Sequence, residues 1–259
     1  MEGLGRSDLP RPSNVMPSKK PQLINGEIYH IILRGVGDSL IFKDVNDYYR
    51  GIFSVYEFNN AIPVDIWLRR QQRKKEKITE NIRPSKVLEG QTFQYLDKRD
   101  KFVEVLVFCF MPNHIHLLAR QLKDNGVSNF MQKVGTGYAV YFNKKYHRKG
   151  HLFNNFKAVH IETDDQLKNV VTYFHCNPIS LIEPGFKDKG IEHPEKVKEF
   201  LENYKWSSYQ DYIGIKNFHY VTEREFISEI MGGPEGCRAE VENWILHKKD
   251  LNDFYNVLG

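Results

Sequence analysis

Phe102 to Leu118 read FVEVLVFCFMPNHIHLL, and this stretch decides the fold. The run from Phe102 to Phe110 is almost continuously apolar, β-branched and aromatic, which predicts a strand buried on both faces. Met111-Pro112-Asn113 supplies turn residues, and His114 to Arg120 (HIHLLAR) reads as the returning strand of a hairpin. Toward the N-terminus, Glu27 to Leu33 (EIYHIIL) predicts a strand that Gly35 and Gly37 end. Asp44 to Ala61 predicts a helix, with Asn46 as its N-cap, Tyr49, Ile52, Phe53, Tyr56 and Phe58 as its apolar face, and Pro63 as its stop. Toward the C-terminus follow a long helix over 126–146, a short strand over 155–161, and a helix capped by Thr163 that runs to Pro178. Strand, helix, strand, strand, helix, strand is the βαββαβ order. It predicts an α+β, ferredoxin-like core: a four-stranded, mostly antiparallel sheet with helices on one face.

Around this core the sequence sets out additions. Residues 1–23, broken by Pro10, Pro12, Pro17 and Pro21, are expected to form a flexible leader. A domain over 24–182 carries an insertion at 65–101, where Leu68 to Lys77 (LRRQQRKKEK) holds six basic residues and one acidic residue. A helical extension over 183–259 contains segments at 192–204, 207–212, 223–231 and 239–257. With 41% hydrophobic and 13% aromatic residues in 259, the chain has material for a real core and is not a disordered one. Lys plus Arg is 37 against 33 for Asp plus Glu, so a nucleic-acid surface needs local clustering of charge. Cys109, Cys176 and Cys237 are far apart and odd in number, which argues against a disulfide framework or a zinc knuckle. No apolar run approaches a membrane span and no signal-like segment opens the chain, so a cytoplasmic protein is expected.

His114 and His116 sit two residues apart on a strand, so their imidazoles share a face while Ile115 points to the other. Spacing alone leaves two readings open: a shared cation, or two ordinary histidines at a strand start. Tyr173 and Asn177 stand four apart on the last core helix and share its face. By spacing they read first as a packed or interface tyrosine and a helix-end amide, and second as a phenolate beside an amide oxygen offered to a metal held by the two imidazoles.

Taken in order, however, Tyr29-His30 to Arg34-Gly35, Met111-Pro112-Asn113-His114-Ile115-His116-Leu117-Leu118, Gly137 to Asn143, Gly150-His151-Leu152-Phe153, Tyr173-Phe174-His175-Cys176-Asn177-Pro178 and Trp206-Ser207-Ser208-Tyr209 form a set. The set resembles the IS200/IS605-like single-tyrosine (Y1) transposases, and within them the REP-associated tyrosine transposase branch, over residues 26–214. The resemblance implies an HUH single-strand DNA nuclease and strand transferase that works through a 5′-phosphotyrosine on hairpin-containing DNA. It implies Tyr173 as nucleophile and His114, His116 and Asn177 as ligands of a divalent cation, Mg²⁺ or Mn²⁺. Monomer and homodimer are both found among such enzymes. The chain departs from its relatives at Val36, where many have Asn, and in a segment one residue short over 151–157 that lacks an early basic residue. Neither change falls on the implied ligands or nucleophile.

Two basic clusters are candidates for phosphate contacts: Arg69, Arg70, Arg73, Lys74, Lys75 and Lys77 in the insertion, and Lys144, Lys145, Arg148 and Lys149 after the long helix. Trp67, Tyr146 and Phe153 lie near them as candidate stacking surfaces for unpaired bases. Trp206-Ser207-Ser208-Tyr209 is expected to begin a helix packed on the core, and His175 to point away from the Tyr173 face. Two further functions compete with the nuclease. One is a domesticated hairpin-DNA-binding protein without turnover. The other is an RNA-binding module, against which Val105 to Phe108 lacks the Lys/Arg-Gly-Phe-like run such modules carry.

Overall fold

The computed structural model describes residues 23–63, 71 and 99–247. The expected leader up to residue 22, Trp67 and the insertion's basic cluster (Arg69, Arg70, Arg73, Lys74, Lys75 and Lys77) lie outside the described residues, as does the chain beyond 247.

The core strands are β1 (Ile28–Arg34), β2 (Val103–Met111), β3 (His114–Gln121) and β4 (Lys157–Ile161). They form one antiparallel sheet in the order β2-β3-β1-β4. Helix α1 (Val45–Glu57) links β1 to β2, and α2 (Gly126–Lys145) links β3 to β4. Each β–α–β unit therefore skips one strand position, which is the split arrangement the element order predicts. The sheet is α+β in character, with helices on two faces rather than one. Tyr29, Ile31, Leu33, Ile115 and Leu117 pack with α1 and α2. Leu106, Val107, Cys109, Met111 and Leu118 pack instead with α3 (Asp164–Cys176) and the C-terminal helices. A register shift between Val105 and Val107 changes which positions face each layer, so Val103 and Val105 before it and Phe108 and Phe110 after it all pack with α1 and α2. The C-terminal helices are α4 (Phe186–Lys189), α5 (Pro194–Asn203), α6 (Tyr209–Tyr212), α7 (Glu225–Ile230) and α8 (Gly233–His247). They build on α3, so the extension closes the second core layer.

Trp206 to Ser208 do more than start a helix. Phe110 N donates to Trp206 O at 2.8 Å, Ser208 N donates to Phe108 O at 3.0 Å, and the Ser208 hydroxyl accepts from Phe108 N at 3.1 Å. This segment covers the edge of β2, whose backbone groups would otherwise lie open to pairing. In α2, Gly137 is required by close approach, because a Cβ there would stand 2.2 Å from the Phe58 ring.

The N-cap of α1 is Asp44, not the expected Asn46. Its side chain accepts from Asp47 N at 3.1 Å, and the Asp47 carboxylate accepts from Asp44 N at 3.3 Å, a reciprocal capping box. Tyr49, expected on the apolar face, is exposed, and Val55 is buried in its stead. Asp47 is fully buried and accepts further bonds from Lys43 N (2.9 Å), Tyr141 Oη (3.0 Å), Tyr146 Oη (2.7 Å) and Lys145 Nζ (2.6 Å). Burial raises this carboxyl's pKa, but the bonds from Lys145, Lys43 N, Tyr146 and Tyr141 outweigh it and leave the group below its ordinary value. The stability it contributes is therefore complete above the unfolded value of 3.8 and is lost as pH falls through the lowered folded value. Asp47→Asn should cost about 1–3 kcal/mol at neutral pH, less than a fully buried pair would, since Lys145 keeps 27% of its side chain exposed. Urea unfolding at pH ~7 and pH ~3 checks this: the difference between wild type and variant must shrink at the lower pH.

Candidate active site

Alternation along β3 sends Ile115 into the layer with α1 and α2, where it is 1% exposed, and His114 and His116 toward α3. The two imidazoles face each other, with Nε2 to Nε2 at 2.8 Å. His114 Nδ1 lies 2.6 Å from Asn113 Oδ1, at the hairpin turn. His116 Nδ1 lies 2.9 Å from Nε2 of His30, which β1 projects from the same face. His30 is 0% exposed, and burial pulls its pKa down to about 4, so it is neutral at physiological pH.

Tyr173 comes to this face from α3, its ring centroid 6.1 Å from that of His116. It is 3% exposed, and burial pushes its phenol above the ordinary value; Cys109 adds to the rise and the Arg34 guanidinium opposes it. Thr163 caps α3 as expected, its hydroxyl accepting from Gln166 N at 3.2 Å. Asn177 begins the 3₁₀ turn Asn177–Leu181 that follows α3, one helical turn after Tyr173. It is buried, and its Nδ2 has no hydrogen-bond partner among the described residues. Phe174 closes the back of the site, its ring 4.9 Å from His30 and 5.5 Å from His116, edge to face. His175 turns away as expected, into the C-terminal layer against Tyr209, Tyr212 and Cys237.

The pair of imidazoles suits a divalent cation. Metal–imidazole bonds of about 2.0–2.1 Å put two neighbouring ligand nitrogens about 3 Å apart, close to the 2.8 Å found. The Asn177 amide has bonding capacity left over among the described residues. Among the described residues no three His, Cys, Asp or Glu side chains gather into a metal-holding group.

Of the second basic cluster, Lys145 is held by Asp44 and Asp47 at 2.6 Å each, so its charge is spent within the fold. Lys144 and Lys149 are exposed, and Arg148 donates to Asn143 Oδ1 at 3.3 Å. They stand beside a groove of about 530 Å³ between α2 and residues 150–156, lined in part by Gln132, Asn143, Phe153 and Phe156. Leu33 also lines it and belongs to the layer with α1 and α2, so the groove opens on the other side of the sheet from the histidines. Tyr146 is committed to Asp47 through its hydroxyl.

Sequence reasoning assigned no role to His30, Asn113 or Phe174, although their motif blocks were noticed. The available signal was parity: with Tyr29, Ile31 and Leu33 facing one layer, His30 must face the other, as His116 does.

No curated protein matches the sequence. A solved structure of a REP-associated tyrosine transposase bound to a REP hairpin aligns at 12% identity and a TM-score of 0.40, covering 78% of this chain and 90% of that one. No described helix is long and apolar enough to cross a membrane. Residues 70–177, from the insertion through β2, the histidine pair and α3 to Asn177, match the model of the family described as "Transposase IS200 like", and the family resemblance carried by the MPNHIHLL and YFHCNP blocks is thereby shown across that span.

Proposed function

We propose that this chain nicks single-stranded, hairpin-containing DNA and transfers the strand through a covalent tyrosine intermediate, with His114, His116 and Asn177 as ligands of Mg²⁺ or Mn²⁺. The observation that carries the reading is the pair of Nε2 atoms 2.8 Å apart, set on the same face as the Tyr173 ring. In the step, Tyr173 Oη forms a bond to phosphorus and the P–O3′ bond breaks. The phenol proton is lost, the 3′ oxygen takes up a proton, and the products are a 5′-phosphotyrosine and a free 3′-OH. The ester keeps the phosphodiester's energy, so a second 3′-OH reverses the attack without another energy source. A bound cation would polarise the phosphate and offset the charge that grows on its oxygens. Asn113 holds His114 from its Nδ1 side, with Nε2 facing the other imidazole. Lys144, Arg148 and Lys149 would meet phosphates of the strand without reading its sequence. The cytoplasm and the REP-associated branch belong to the same proposal.

The test mixes the purified chain with single-stranded hairpin DNA from the sequence flanking its gene, with Mn²⁺ or Mg²⁺, and looks for a denaturant-resistant protein–DNA adduct. A metal-dependent adduct that His114→Ala reduces by about 10²-fold or more is expected. One observation favours a second reading: Tyr173 is 3% exposed with a raised pKa, as in a hairpin binder that does not turn over. Salt-sensitive binding with no adduct under either metal selects that reading.

A further inference from the structure

We propose that His30 is the positioning residue of the two-histidine site: through its Nε2 it sets the tautomer of His116, and a cation is admitted by a paired tautomer change of His30 and His116. This rests on the cation reading of His114 and His116 above.

The argument follows the protons. Asn113 Oδ1 accepts at 2.6 Å, so a neutral His114 carries its proton on Nδ1 and none on Nε2. His116 Nε2, 2.8 Å away, must then be the donor. A neutral His116 protonated at Nε2 has a bare Nδ1, and this accepts from Nε2–H of His30 at 2.9 Å. That leaves His30 Nδ1 bare, and the environment agrees: the residue is 0% exposed and Nδ1 has no partner among the described residues.

A cation ligated by His116 Nε2 requires that nitrogen to be bare. His116 then holds its proton on Nδ1 and donates to His30 Nε2, and His30 holds its own proton on Nδ1. Both rings keep one proton each, so the change is tautomeric and releases no net proton. The commoner partner of a ligating imidazole is a carboxylate or carbonyl, which accepts without rearrangement. Here the acceptor is a second imidazole that must place its own N–H where no described residue receives it, so it supports the cation less strongly than a carboxylate would and keeps the cation exchangeable. The amide of a Gln at position 30 is long enough to put either its oxygen or its nitrogen where Nε2 stands, and it switches between them by rotation.

The test has two parts. In ¹⁵N-histidine-labelled wild type, long-range ¹H–¹⁵N NMR without metal is expected to show His30 and His116 both protonated on Nε2, and with Mg²⁺ both protonated on Nδ1. Metal-free His116 protonated on Nδ1 overturns the proposal, as does a Mg²⁺ response of His114 and His116 that leaves His30 unchanged. If Mg²⁺ moves no ring while the metal-free pattern is as stated, the cation reading falls and His30's hold on His116 stands. In the second part, Mn²⁺ titration followed by electron paramagnetic resonance is expected to show about 10–100-fold weaker binding in His30→Leu, with His30→Gln at least as tight as wild type. A folded His30→Leu that binds Mn²⁺ like wild type sinks the idea. Should His30→Leu fail to fold, the tautomers of the wild type decide alone.

Discussion

Tyr173→Phe is expected to reduce covalent adduct formation by about 10³-fold or more, with hairpin-DNA binding and thermal stability unchanged. The variant deletes one oxygen and keeps the ring that packs in the second core layer. Its effect on chemistry is therefore separable from any effect on folding. The pH dependence of the wild type adds an independent check. Burial raises the Tyr173 phenol above 10, so the phenolate is a minor species at neutral pH and grows about tenfold per pH unit toward its pKa. Adduct formation with metal should rise steadily from pH ~7 to pH ~9, provided the attacking oxygen enters the reaction ionised. A flat profile would place proton removal in concert with attack. An adduct that persists in Tyr173→Phe would mean another of the fourteen tyrosines is the nucleophile.

The parts of this molecule governed by short-range periodicity were legible from the sequence. The near-continuous apolar run Phe102–Phe110 and the returning run His114–Arg120 located β2 and β3 within a residue or so, and Thr163 was the cap of α3 because its hydroxyl needs only the backbone N–H three residues on. Errors came where two good candidates competed. Asp44 displaced Asn46 as the α1 cap because only Asp44 has Asp47 three residues later to complete the box. Other features depend on partners far away in the sequence, which no local pattern encodes. The Trp206–Ser208 segment pairs with β2, Lys145 is spent on Asp44 and Asp47, and α3 with the C-terminal helices covers the second face of the sheet. The site divides in the same way. His114 and His116 are adjacent in sequence and stood out at once. His30 joins them only across the β1–β3 register, in which Ile32 lies opposite His116, and an isolated histidine in an apolar strand carries no local mark of that.

Phe174→Ala is expected to be the most destabilising single change near the site, by about 3–5 kcal/mol, because a large buried ring leaves both a lost transfer term and a cavity. Phe174 is 0% exposed, and its neighbours are poorly placed to collapse into the space. His30 and His116 are tied to each other at 2.9 Å and to the strands that carry them, while Val170, Val171 and Leu118 are fixed in the same layer. The loss should therefore fall at the upper end of that range. It corresponds to a fall in melting temperature of roughly 6–20 °C for a domain of this size. Phe174→Leu, which keeps much of the volume, should cost about 1–2 kcal/mol. The pair of variants separates packing from chemistry. Phe174→Leu keeps the wall behind the two imidazoles and should retain most adduct formation at low temperature, whereas Phe174→Ala should lose it together with its fold. Tyr173→Phe, one residue earlier on the same helix, loses the adduct with no change in melting. If Phe174→Ala melts within about 3 °C of wild type, α3 is not docked on the sheet through this ring, and the placement of Tyr173 against His116 loses its physical basis.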